Sequence, residues 1–169
     1  MTSIFQSKTP IYSNLELLEI ELLWDKATEV NKISTDRKYT SSYTTKPNRY
    51  ADKLLDWGET QLGFQIKRDG CNLILHKFFE GDYFDKHRDN VKRENNFRTY
   101  VLGFNLNDDY DGGEYIVYSD KEKILDKRPG VPYIMKSDQL HEVKPVVKGI
   151  RKSALIFLLE KNTNQVTPI

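Results

Sequence analysis

Residues 140–153 read Leu140-His141-Glu142-Val143-Lys144-Pro145-Val146-Val147-Lys148-Gly149-Ile150-Arg151-Lys152-Ser153. A histidine stands near the start of one strand candidate, 140–147. A Lys148-Gly149 turn follows, and Arg151 opens the next candidate, 151–160. A hairpin over this turn brings Arg151 onto a strand adjacent to His141. Side chains alternate along a strand, so Arg151, Ser153, Leu155 and Phe157 share one face. An arginine heading an otherwise apolar inward face needs an anionic partner, because an unpaired buried charge is very costly. The stretch therefore predicts a β-rich core with an anion held inside it.

The chain has three histidines, His76, His87 and His141. His87-Arg88-Asp89 is an H-x-D, and on a strand positions i and i+2 point the same way. Alone that pair is a weak signal, and a surface His–Asp pair explains it equally well. His141 alters this. Two histidines and one carboxylate form the facial triad that holds non-haem Fe(II) with coordination positions open. Arg151 then suggests a second carboxylate, one belonging to a co-substrate.

Composition narrows the remaining classes. At 169 residues, against roughly 150 per domain, one domain is expected. Lys and Arg number 26 against 25 Asp and Glu, a net charge of +1. This gives no reason to expect a protein that grips phosphate by bulk charge. Aromatic residues make up 12% of the chain, enough with the Ile, Leu and Val runs to bury a core. Cys71 is the one cysteine, which excludes an intrachain disulfide and multi-thiolate zinc sites. The longest apolar run, Ala154–Leu159, has six residues, far below the ~20 that span a bilayer. Met1–Pro10 does not read as a signal peptide. A soluble protein of the reducing cytoplasm, without membrane attachment, is expected.

Two helices are predicted first. Ser13-Asn14-Leu15-Glu16 has the pattern of a capping box. From Leu15 to about Asn31, apolar residues at 15, 18, 22 and at 17, 20, 24, 27 give a broad buried face. Residues 32–46 are rich in Ser, Thr and Lys and read as a loop. A second helix is expected from Pro47 or Asn48 to Leu62, with Gly63 at its cap. From Gly63 the pattern changes to strands: 64–68, an Asp69-Gly70 turn, 71–79, 98–107, 114–119, 123–127, 131–136, 140–147 and 151–160. Helices first and strands second argue an α+β protein with a sandwich or barrel core.

At these residues a family resemblance emerges. The chain resembles Fe(II)/2-oxoglutarate-dependent dioxygenases of the prolyl 4-hydroxylase type. Phe78-Phe79-Glu80-Gly81-Asp82-Tyr83-Phe84-Asp85-Lys86-His87-Arg88-Asp89 is similar to the family's Y-x-x-G-x-x-[YF]-x-x-H-x-D. Arg98 to Asn107, followed by Asp111-Gly112-Gly113-Glu114, is similar to its strand, turn and G-G-E. Residues 140–151 carry the most specific match. The resemblance covers roughly 64–160. It implies a double-stranded β-helix (jelly roll) core at 63–160, with helical support at 1–62, in one domain spanning 1–169.

Residue by residue, the resemblance makes His87, Asp89 and His141 the iron ligands and the catalytic centre. It pairs Arg151 with the distal carboxylate of 2-oxoglutarate and places Ser153 beside it. Two positions depart from the family. Its metal-proximal tyrosine is Phe78 here, so a hydroxyl is missing. A tyrosine that often binds the distal carboxylate aligns with Asn105, whose amide can still donate a hydrogen bond. The implied cofactors are Fe(II), 2-oxoglutarate and O2, with ascorbate as reductant. The implied reaction couples oxidative decarboxylation to succinate and CO2 with hydroxylation of a C–H bond.

Around this centre His76 reads as a lining histidine and Cys71 as inert. Lys86, Arg88, Lys92, Arg93 and Arg98 read as a solvated loop, with Arg98 the first candidate for substrate contact. Tyr83, Tyr115 and Tyr118 are candidates for the pocket mouth. The expected substrate is a prolyl residue of a peptide or protein. The alternatives are a nucleobase or free amino acid as substrate, or a non-catalytic jelly-roll binding module. Nucleic acid is disfavoured: dioxygenases of that class tend to carry a second arginine six residues after the first, and Phe157 stands there.

Overall fold

The computed structural model describes residues 4–44, 48–93 and 96–161. Its elements, in chain order, begin with β1 (Ile4–Gln6), α1 (Asn14–Glu21) and a 3-10 segment (Leu22–Lys26). Then come β2 (Thr28–Ser34), β3 (Arg37–Tyr43), α2 (Arg49–Leu62), β4 (Ile74–Phe78), β5 (Tyr83–His87), β6 (Lys92–Arg93) and β7 (Asn96–Asn105). They end with β8 (Asp111–Gly112), β9 (Tyr115–Tyr118), β10 (Glu122–Ile124), β11 (Tyr133–Lys136), β12 (Leu140–Val143), β13 (Val146–Lys148) and β14 (Arg151–Lys161).

The strands form one curled antiparallel sheet in the order β1-β11-β7-β14-β4-β3-β5-β12-β9-β10, with β2 beside β3 and β6 beside β7. A two-stranded ribbon, β13-β8, stands apart. The turnover point is β3. Its residues Thr40–Tyr43 pair with β4, and Arg37 and Lys38 pair with β5. One strand thus joins the two walls of a jelly roll, as the α+β expectation requires. The helices pack on the outer face of the β7-β14-β4 wall. There Ile20, Leu54, Leu55, Leu73, Leu75, Leu102, Phe104 and Ile156 form the main core. A second core, with Val101, Val117, Met135 and Leu155, lies between the walls. No helix among the described residues is long and apolar enough to cross a membrane.

The capping box at α1 is present: Ser13 accepts from the Glu16 amide at 3.2 Å and donates its own amide to the Glu16 carboxylate at 2.8 Å. The helix is shorter than expected. Only the stripe Leu17, Ile20 and Trp24 is buried, while Leu15, Leu18 and Leu22 are exposed. Helix α2 starts on an Asn48 N-cap and ends on Gly63 in the left-handed region, φ 75°. Pro47 lies outside the described residues. The expected stripe of Tyr50, Ala51, Leu54 and Leu55 is buried.

Three expectations fail. The Lys148-Gly149 turn does not make a hairpin that sets Arg151 beside His141: β12 pairs with β5 and β9, β13 with β8, and β14 with β4 and β7, so the two residues come from different walls. The expected loop over 32–46 is mostly sheet: residues 32–43, with 28–31, build the β2–β3 hairpin, in register from Thr28↔Tyr43 to Ser34↔Arg37, and 45–46 lie outside the described residues. Segment 1–62 is therefore not purely helical support. Residues 64–68 are not a strand, because both edges of β4 are already taken by β3 and β14. Instead the segment is tied down by Ile66, whose amide donates to Glu59 at 2.9 Å, and by Arg68, bonded to Asp52 and Asp56.

Candidate active site

The pairing of β5 with β12 sets His87 directly opposite His141. Asp89 lies just beyond the end of β5, not on the strand, and its amide donates to the Ser137 carbonyl at 2.7 Å. That turn swings its carboxylate back between the histidines. His87 Nε2 is 3.5 Å from Oδ1, and His141 Nε2 is 3.3 Å from Oδ2. The three ligand atoms lie within 4.8 Å of one another.

Both imidazoles are locked by the nitrogen facing away from Asp89. His87 Nδ1 meets the Asp85 carbonyl at 2.6 Å, and His141 Nδ1 meets the Gln139 carbonyl at 2.8 Å. A carbonyl only accepts, so each Nδ1 carries the proton and each Nε2 keeps its lone pair for a metal. The rings are also clamped. Phe84 stacks on His87 at 3.4 Å, and Tyr115 stacks on His141 at 5.2 Å and 6°. Burial acts to raise the Asp89 pKa, but the hydrogen bonds and positive charge that His141 and His87 supply when protonated hold it well below the usual carboxylate range; a divalent cation on the Nε2 atoms would replace that charge. Two neutral nitrogens and one ionised carboxylate suit a hard divalent cation with positions left open.

The triad opens into a cavity of about 270 Å³ between the two walls. Arg151, Ser153, Leu155 and Phe157 all line it from β14, on the shared face their alternation requires. Arg151 is 3% exposed. Its Nη1 donates to Ser153 Oγ at 3.0 Å, and its guanidinium lies 5.3 Å from the Phe78 ring centre. Its Nε is buried with no hydrogen-bond partner. A buried guanidinium with an orphaned donor is an anion site, which is what the distal carboxylate of a dicarboxylic acid would fill. Gly113, at φ 64°, keeps the space open: a Cβ there would meet Arg151 Cδ at 3.2 Å.

Two lining residues were missed from sequence. Tyr39, on β3, is buried and stacks on Phe78 at 4.8 Å and 14°. It brings a phenol into the cavity beside the aromatic that lacks one. Tyr133, on β11, lies opposite Gly103 of β7 and fills the room the glycine leaves. Tyr115 packs against Tyr133 with ring centres 5.3 Å apart, and burial pushes the Tyr133 phenol up to about 12. The signal for this pair was a cross-strand tyrosine and glycine, which the sequence shows only once register is known.

Three expected positions lie elsewhere. Asn105 does not line this cavity. It lines a second one of about 240 Å³, behind Tyr115, and stands directly across the β7–β14 ladder from Ser153. Tyr83 is not at the mouth: its hydroxyl donates to the Thr35 carbonyl at 3.2 Å and pins the β2–β3 turn. Tyr118 turns away to bond Glu142. Phe78, Tyr115, His76 and Arg98 do line the cavity. Burial, then the charge of Arg151, pushes the His76 imidazole down to about 3, so it stays neutral. Arg93 has no described side chain.

Gly103→Ala tests the tyrosine seat. Its Cβ would lie 2.5 Å from the Tyr133 hydroxyl and 3.0 Å from the Ala154 carbonyl. Overpacking of this kind costs about 1–3 kcal/mol. Urea unfolding should show that loss, with weaker 2-oxoglutarate binding. Unchanged stability would mean that Tyr133 has room to move.

A family model described as the 2OG-Fe(II) oxygenase superfamily matches residues 73–159, more than half of the chain. The chain belongs to that superfamily, so it is a 2-oxoglutarate-dependent oxygenase using Fe(II) and O2. No curated protein matches the sequence. Several solved structures share the fold. A viral collagen prolyl hydroxylase from Paramecium bursaria Chlorella virus-1 is 15% identical, TM-score 0.73, covering 94% of this chain and 96% of that one. A prolyl-4-hydroxylase from Pseudomonas putida is 16% identical, TM-score 0.70, covering 92% of each. A prolyl hydroxylase from Trichoplax adhaerens is 17% identical, TM-score 0.72, covering 94% and 84%. That structure holds a peptide fragment of a hypoxia inducible factor oxygen degradation domain.

Proposed function

We propose that the protein hydroxylates prolyl residues of a peptide or protein, with His87, Asp89 and His141 holding Fe(II) and Arg151 holding 2-oxoglutarate. The observation that carries the co-substrate is the buried Arg151 Nε without a partner, in the same cavity as the triad. The prolyl substrate is supported by the likeness to three prolyl hydroxylases, one with a peptide bound.

With iron and 2-oxoglutarate bound, oxidative decarboxylation to succinate and CO2 supplies the oxidising power that converts C–H into C–OH. The residues do the positioning. The Asp85 and Gln139 carbonyls fix the tautomers of His87 and His141, and Phe84 and Tyr115 hold the ring planes. Arg151 and Ser153 present N–H and O–H donors to the distal carboxylate. Tyr39, Tyr115 and Tyr133 close the walls against water. No side chain needs to act as a general base. Ascorbate as reductant and a reducing cellular setting belong to the same proposal. The lone Cys71 is buried, and burial raises its thiol pKa, so it is a poor target for oxidation.

Mass spectrometry of proline-containing peptide libraries tests the substrate. With Fe(II), ascorbate and 2-oxoglutarate, the expected result is a one-oxygen gain on proline. A gain on single-stranded oligonucleotides or free amino acids, and none on any peptide, would overturn it.

A further inference from the structure

The whole chain is nearly neutral, yet its cavity is not. Among the described residues, the charged side chains lining it are five cations, Lys32, Arg37, Arg88, Arg98 and Arg151, and a single carboxylate, Asp89. Their depths differ. Arg151 and Asp89 are the inner pair, and with a divalent metal and a dicarboxylate anion these inner charges neutralise one another. The other four cations are at least partly exposed and ring the mouth. They come from β2, β3, the turn after β5 and β7, which are far apart in sequence.

The mouth is not neutralised by its own surroundings. Arg37 is paired with its neighbour Asp36 at 3.1 Å. Among the described residues, Lys32 and Arg88 have no carboxylate within 4.0 Å. Lys32 lies 5.4 Å over the Tyr43 ring, and Arg88 donates to the Asp138 carbonyl. The field extends inward. Burial acts to raise the Tyr43 pKa, yet its polar surroundings at Ser41 and Lys32, and the charges of Lys32 and Arg98, lower it overall.

Resting on the hydroxylase reading above, we propose that the substrate is an acidic polypeptide segment, its carboxylates held at the mouth by Lys32 and Arg88. Two observations select polypeptide over nucleic acid. Single strands are held by bases stacked on open aromatic faces. Here the faces at the mouth are covered: Tyr43 by Lys32, Phe157 by Arg98 at 3.5 Å, and Phe84 by Arg37 at 4.6 Å and by His87. Further, a groove of about 400 Å³ runs on from the cavity past Arg98. Its walls mix apolar Ile74, Val91 and Leu159 with the amides of Asn72 and Asn96, and among the described residues no carboxylate lines it. Such a groove takes side chains and backbone of an extended peptide beyond the residue in the cavity.

The test uses three labelled peptides, each with one central proline and with acidic, neutral or basic flanks. Binding to the full chain, with 2-oxoglutarate present, is read by fluorescence anisotropy at low and moderate salt. The acidic peptide should bind at least about tenfold tighter than the neutral one, with an advantage that shrinks as salt rises. The double variant Lys32→Glu, Arg88→Glu should lose that preference and gain binding of the basic peptide. A merely misfolded variant would bind neither. Equal binding of all three peptides, or tighter binding of a single-stranded oligonucleotide, would overturn the proposal. Mass spectrometry of the same mixtures, supplied in addition with Fe(II), ascorbate and air, separates it from the reading it rests on. Oxygen gain on neutral and acidic peptides at equal rates keeps the hydroxylase and refutes the acidic preference. Selective binding of the acidic peptide without oxygen gain keeps the charged mouth and refutes prolyl hydroxylation.

Discussion

Under anaerobic titration the wild-type protein takes up one Fe(II) per chain, and His87→Ala binds it more than about 100-fold more weakly. Even the partners that orient ligands are worth roughly 10–100-fold in metal affinity, and His87 would be a ligand itself. Its Nε2 faces Asp89 while its Nδ1 is spent on the Asp85 carbonyl. The variant also frees one face of Phe84, so a small loss of stability accompanies the effect. Thermal melting of the metal-free proteins separates the two, because a modest shift in melting temperature does not account for lost iron. Asp89 remains ionised at neutral and mildly acidic pH, held down by both histidines, so acid does not remove its contribution first. If wild type and variant titrate alike, the metal assignment is wrong.

Arg151→Ala should weaken 2-oxoglutarate binding by about 10- to 150-fold, the equivalent of a charge-assisted hydrogen bond worth roughly 1.5–3 kcal/mol. The sign of the accompanying stability change is diagnostic. A buried cation with an unsatisfied donor burdens the protein when no anion is bound. Without co-substrate the variant should therefore melt no lower than wild type, although it has lost a large side chain. Arg151→Lys keeps the charge without the planar fork and should recover part of the affinity. Calorimetric titration with 2-oxoglutarate and a melting curve decide the matter. A large fall in melting temperature with unchanged affinity would make Arg151 structural.

The two predictions concern residues that sequence alone brought forward, and the reason is physical. His87, Asp89, His141, Arg151 and Ser153 sit in short linear patterns; strand alternation sets the facing of all but Asp89, which a turn just past β5 brings round. What closes the site around them depends on pairing between distant strands. Tyr39 belongs to a hairpin whose outer strand is largely exposed and polar, so neither apolar alternation nor composition marked it as sheet. The helical spacing from Leu15 runs on through Ala27 and masked its start. Tyr133 acquires meaning only opposite Gly103, and the cavity that Asn105 lines is likewise fixed only by the strand pairing. Residues 64–68 alternate well, but a strand needs an edge, and β4 has none to give. The near-neutral total likewise hid a mouth whose cations meet only after folding.

The most direct test of the central claim is CO2 release from 2-oxoglutarate labelled at C1, followed with and without Fe(II) and with and without O2. Wild-type protein should release label slowly without peptide and faster with a substrate peptide, one succinate per CO2, only when Fe(II) and O2 are both present. Release that persists without Fe(II), or no release with every component supplied, would contradict it.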